Sequence, residues 1–219
     1  MKTKSLYIII SSILVCGLLA WIEHGIQINY VIKTGAKIGL FFTVIAIYMK
    51  QFNDFRWGDV LRMNQASSNW KRLLLLGIAS ATVILIAYMS LEPFIDTAMI
   101  KTDLTDRLGI TPIGFIFVGL YITFGNSLLE EYFFRGFIFF NLPRNIAYVF
   151  SPILFAAYHI PMIVLWFEAY QVALCFFGLW LIGVIFHKVN EQQETIWSSW
   201  IIHICADVMI IIIGLTLFY

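Results

Sequence analysis

Seven long, nearly uninterrupted apolar stretches divide this chain, at residues 5–22, 28–49, 73–91, 113–140, 145–161, 170–187 and 196–218. A bilayer-crossing helix needs about 20 mostly apolar residues. The pattern therefore predicts an all-α polytopic membrane bundle of about seven to eight transmembrane helices. The second stretch carries Lys33 and Lys37, so it either starts late or lets both lysines reach for the membrane surface. The fourth is too long for one straight span and is expected to tilt, or to break near Gly125 or Gly136. The first follows Lys2 and Lys4 as a secretory leader would. No small-residue cleavage site follows it, and Val15 before Cys16 makes a poor lipoprotein site, so it reads as an uncleaved first helix.

The polar connections suggest an orientation. Residues 50–72 carry Lys50, Arg56, Arg62, Lys71 and Arg72, whereas 92–112 carry Glu92, Asp96, Asp103 and Asp106 against Lys101 and Arg107. Cytoplasmic loops are richer in Lys and Arg, which puts 50–72 inside, 92–112 outside and the N-terminus in the cytoplasm. Within the inner connection, residues 54–63 read either as an amphipathic segment lying on the membrane or as a plain solvated loop. No repeat or linker separates domains. Residues 1–219 read as one transmembrane domain, with less specific helices over 1–112 and the candidate catalytic helices over 113–219.

Composition strengthens the membrane reading. The chain is 61% hydrophobic and 12% charged, against about 25% charged in soluble domains. A net charge of +1 gives no electrostatic case for a nucleic-acid partner. Cys16, Cys175 and Cys205 are odd in number, lie in apolar runs and match no metal or disulfide framework.

Against that background a few ionisable residues stand out inside the spans: Glu130, Glu131, Arg135, His159, His203 and Asp207. Each charge at a bilayer centre costs about 2.5–3.5 kcal/mol on insertion scales, so such residues face one another or water. At about 1.5 Å per residue, Glu130, His159, His203 and Asp207 fall about 12–20 Å from the inner edge, on three different spans. Glu131 and Arg135 are spaced i,i+4, as are His203 and Asp207, so each pair shares a helix face. Glu130 points about 100° away from Glu131. Phe155 would set an aromatic wall beside His159. Each pair alone reads as a structural ion pair or a link between helices; converging at one depth, they read as a functional interior. His24 and His187, at span ends, and Trp197 and Trp200, at the start of the last span, read as interfacial groups. Glu168 reads as a loop charge.

A desolvated carboxylate suits general base and acid work. Histidine can hold water, bind metal or donate to an oxyanion. A second His with Asp can complete a metal shell or stabilise a tetrahedral intermediate. No ordered Ser-His-Asp set or nucleophile elbow appears. Water activation by a glutamate, with or without a metal, and thus peptide-bond hydrolysis inside the membrane, is the economical reading.

The stretches Glu130-Glu131-Tyr-Phe-Phe-Arg135, Phe155-Ala-Ala-Tyr-His159 and His203-Ile-Cys-Ala-Asp207 resemble, in order and spacing, the motifs of the CPBP intramembrane endopeptidases. That group (also called Abi) contains CAAX prenyl proteases and bacteriocin-processing enzymes. The likeness covers about residues 126–207 and includes the run from Phe176 to His203. It implies that Glu130 is the base for water, assisted by His159, that His203 and Asp207 stabilise the oxyanion or help hold a metal, and that Glu131 and Arg135 orient the site. Asp207 stands where many members have Asn, which favours a metal-shell or water-orienting role. The cofactor is left open, a divalent metal such as zinc being one option. The expected partners are the lipid bilayer and a peptide or membrane-protein substrate, and the expected location is a bacterial plasma membrane. A short chain suits peptide maturation or bacteriocin self-immunity. The alternative is a non-catalytic immunity or regulatory scaffold of the same family. A proton-coupled carrier would instead show repeated halves.

Overall fold

The computed structural model describes residues 2–26, 28–62 and 70–219. They form helices and connections, with no strand among the described residues. Among the described residues, seven helices are long and apolar enough to cross a membrane: Thr3–Gly25, Tyr30–Phe52, Trp70–Phe94, Pro112–Phe139, Arg144–Ile163, Ala169–Asn190 and Trp197–Leu215. They are called the first to seventh spans below. The outward faces are apolar: Leu14, Leu75, Met89 and Phe117 are 66–68% exposed. Apolar exposure on this scale suits lipid and not water. The molecule is a multi-pass membrane bundle.

Local chemistry sets the helix starts. Asn29 caps the second span by accepting from the Ile32 amide at 3.0 Å. Thr111 does the same for Gly114 at 3.0 Å, and Pro112 follows at the first helical position, where its missing N–H costs nothing. Glu168, expected as a loop charge, opens the sixth span through a reciprocal capping box with Gln171.

The fourth span neither breaks at Gly125 nor at Gly136. It runs continuously, with widened π-helical turns at Tyr121–Asn126 and Glu131–Phe139 around a short regular stretch, Ser127–Glu130. Each glycine lies within one of those turns. All nine residues from Glu131 to Phe139 are buried, so this segment is the centre of the bundle and has no lipid face. Phe41 of the second span stacks on Phe133 with ring centroids 3.9 Å apart, and Phe134 meets Phe155 of the fifth span edge-on at 5.3 Å. The fifth span packs closely along the sixth, and the third along the seventh. A Cβ at Gly77 would lie 2.6 Å from the Cys205 sulfur, so the third and seventh spans approach at a point where only glycine fits.

The segment after the second span, described over 54–62, exposes Asp54, Arg56, Trp57, Gly58 and Arg62 while two apolar side chains anchor it to the bundle; Met63 is outside the described residues. Phe55 and Val60 are buried. The Val60 carbonyl accepts from the Ile196 amide at 3.2 Å and the Thr195 hydroxyl at 3.0 Å. Gly136 leaves the space into which the Val60 side chain fits. Trp197 and Trp200, expected as interface anchors, are half-buried and turn their indole N–H groups to the protein. The Trp197 indole donates to the Leu61 carbonyl and that of Trp200 to the Ser127 hydroxyl, both at 3.0 Å. These N–H groups find partners in the protein instead of in lipid headgroups.

At the opposite end, charges tie the first two spans to the connection before the fourth. Glu23 pairs with Lys33 at 2.9 Å and with Arg107 at 2.7 Å. Arg107 grips Asp103 through Nε and, at 2.8 Å, through Nη2, while the Trp166 indole donates to the same carboxylate at 2.8 Å. Burial pushes the Asp103 carboxyl up, but the Arg107 and Trp166 hydrogen bonds outweigh it and hold the group below the usual carboxylate range. A depressed folded value contributes stability above the unfolded value of about 3.9, lost as pH falls through the folded one. Asp103→Asn is therefore expected to lower the melting temperature in detergent at pH 7 and to converge on the wild type below about pH 4. Parallel melting curves of the two proteins across that range would contradict it.

Candidate active site

The central fourth span, the fifth and the seventh deliver all six sequence-predicted residues to the interior. Glu130 and Glu131 sit at the junction between the short regular stretch and the second widened turn. The two carboxylates point into two linked clusters.

In the first cluster, Glu130 is 2% exposed. Its Oε1 accepts from the Asn126 side-chain amide at 2.8 Å and lies 3.6 Å from the Lys37 ammonium of the second span. Its Oε2 lies 3.7 Å from His159 Nε2. His159 Nδ1 is 2.7 Å from the Phe155 carbonyl. A carbonyl only accepts, so Nδ1 carries the hydrogen, and a neutral ring then turns the Nε2 lone pair toward Glu130. The expected aromatic wall is present: Phe155 meets the imidazole edge-on at 4.8 Å.

In the second cluster, Glu131 is fully buried. Its Oε1 takes the Arg135 guanidinium at 3.1 Å and His203 Nδ1 at 2.9 Å, and its Oε2 accepts from the Ser199 hydroxyl. Ser199 accepts in turn from Asn190 at 2.6 Å. Arg135 is also fully buried, its guanidinium carbon 4.0 Å from the Phe155 ring centre and 4.8 Å from that of Phe186. Because Nδ1 faces Glu131, His203 turns Nε2 toward Asp207, 3.7 Å away. The clusters are coupled: His203 also interacts electrostatically with Glu130.

Four contributors were not singled out from the sequence as members of the site: Lys37, Asn126, Ser199 and Asn190. Two had a readable signal. Asn126 lies one turn before Glu130, and Ser199 extends the His203–Asp207 stripe by one turn at the same i,i+4 spacing. His187 corrects an expectation. It is fully buried, stacked on Phe139 with centroids 3.9 Å apart, and its Nε2 is 3.1 Å from the Ser151 hydroxyl. It belongs to the packing beneath the site and not to the membrane surface.

A metal finds a poor set of donors here. A catalytic zinc takes about three protein ligands and a water. Among the described residues no three His, Cys, Asp or Glu side chains are grouped so as to hold one. His203 Nδ1 is committed to Glu131, and a lysine ammonium already lies beside Glu130. What the arrangement supplies instead is a carboxylate facing an imidazole lone pair across a gap too long for a direct hydrogen bond, next to a histidine backed by two acids.

Residues 112–209 match a family model described as Type II CAAX prenyl endopeptidase Rce1-like. The match includes all six predicted residues and leaves out Lys37. No curated protein and no solved structure matches the chain. Over this stretch, which holds all three motifs, the chain is similar to the Rce1-like CAAX prenyl endopeptidases of the CPBP family.

Proposed function

We propose that the protein is an intramembrane endopeptidase that hydrolyses a peptide bond with water activated by Glu130 and His159. The observation that carries this is the pairing of Glu130 Oε2 and His159 Nε2, from two spans, at 3.7 Å in the bundle interior. A water bridging that gap gives one hydrogen to Glu130 and the other to the His159 lone pair. Its oxygen attacks the scissile carbonyl carbon while Glu130 takes the proton. The carbonyl oxygen becomes an oxyanion, to which His203 donates from Nε2 when protonated, Glu131 and Asp207 balancing its charge. The C–N bond then breaks as Glu130 passes its proton to the leaving amine. Arg135 and Ser199 hold Glu131, and through it the His203 ring, in place. No step requires a metal, so chelation is expected to leave the rate unchanged.

The substrate is a membrane-associated peptide or protein segment, with peptide maturation or bacteriocin self-immunity as the setting. The basic residues of 50–72 favour a cytoplasmic N-terminus in a plasma membrane. The test compares the membrane peptides of cells carrying the wild type or Glu130→Ala by mass spectrometry. The purified proteins are then assayed in detergent on any peptide that accumulates and on an internally quenched prenylated CAAX peptide. An uncut peptide accumulating in the variant and cut by the wild type supports the proposal. An unchanged peptide pool and an intact cellular phenotype in the variant would instead establish the scaffold reading.

A further inference from the structure

Lys37 lies inside the second span, outside the segment that matches the family. A lysine near a span end ordinarily reaches toward water. This one turns inward. Its Nζ lies 2.5 Å from the Asn126 side-chain oxygen, 3.6 Å from Glu130 Oε1 and 5.5 Å from the centre of the Tyr158 ring. The geometry points to Lys37 as a positioning residue of the hydrolytic site, acting on Glu130 both directly and through Asn126. This rests on the reading of Glu130 as the base.

An ammonium only donates, so the Asn126 oxygen must face Lys37. The Asn126 amide nitrogen is thereby turned to Glu130, to which it donates at 2.8 Å. Without the ammonium the amide could rotate and set its oxygen against the carboxylate. Lys37 thus fixes the orientation of one group on Oε1 and adds its own charge beside the same atom. That leaves Oε2 as the oxygen facing His159. Charge matching leads to the same conclusion. Arg135 is spent on Glu131, and His159, donating to a carbonyl through Nδ1, is neutral when it accepts water at Nε2. Lys37 then sets a positive charge directly beside Glu130 Oε1, and it comes from the part of the chain that the family match leaves out.

The experiment has a kinetic arm and a stability arm. With the prenylated CAAX peptide or the accumulated peptide as probe, Lys37→Met is expected to lower kcat about 10–100-fold, as loss of an orienting partner does, with KM unchanged. Lys37→Arg, which keeps a cationic donor, is expected to recover most of the rate. A kcat within about twofold of wild type, or a change in KM alone, would overturn the assignment. The stability arm needs no turnover, so it decides the matter even if neither probe is cut. Melting temperatures in detergent are compared for Lys37→Met, Glu130→Gln and the double variant. Coupled groups give a double loss smaller than the sum of the single losses; strictly additive losses would show that Lys37 does not act on Glu130.

Discussion

Glu130→Gln is expected to lower kcat by about 10²–10⁴-fold, the range a positioned general base supplies. The substitution keeps the shape of the side chain and the hydrogen bond from Asn126 within reach, and removes only the ability to take a proton. The loss should fall on kcat rather than KM, because proton transfer belongs to the transition state and not to the ground-state complex. His159→Ala should also lose rate, since its Nε2 faces Glu130 Oε2 across the 3.7 Å gap proposed to hold the water. The pair distinguishes a base from a structural acid: a merely structural Glu130 would show a lowered melting temperature with turnover preserved. Activity in Glu130→Gln close to that of the wild type would end the assignment of this residue as base.

Arg135→Ala is expected to cost about 3–5 kcal/mol of stability, the usual result of removing one partner of a buried ion pair. The guanidinium is fully buried between Phe155 and Phe186 and neutralises Glu131, itself fully buried. Its loss leaves a carboxylate in the bundle centre with only neutral donors and His203, and removes the flat surface on which Phe155 rests. Arg135→Lys keeps the charge but not the planar stacking, so it should fall between the two. Thermal unfolding in detergent reads both variants. Equal melting of Arg135→Ala and the wild type would mean that the cluster around Glu131 is held by Ser199 and His203 alone.

The legible part of the structure is the part that hydropathy and helical spacing control. Each expected span has a counterpart because lipid demands a long apolar run and internal backbone hydrogen bonding. The Glu131–Arg135 and His203–Asp207 pairs were legible because residues four apart share a face whatever surrounds the helix. What could not be read depends on which neighbour arrives. Trp197 and Trp200 have the composition of surface anchors, yet Leu61 and Ser127 supply acceptors in the interior. His187 sits near a span end, but Phe139 and Ser151 enclose it. The direction of Lys37 depends on Asn126 and Glu130, which lie far away in sequence. The roles of these residues follow from assembly and not from local pattern.

The first widened turn gives the fourth span room for a change of chain length that a regular helix lacks. Each wide turn takes up more residues than a regular one. Deleting one residue between Tyr121 and Asn126 would return that stretch toward ordinary winding while Pro112–Leu120 and the acidic pair keep nearly the same facing; in a regular helix a lost residue rotates one side by about 100° against the other. A deletion at this turn should therefore be tolerated far better than one within the regularly wound Arg144–Ile163.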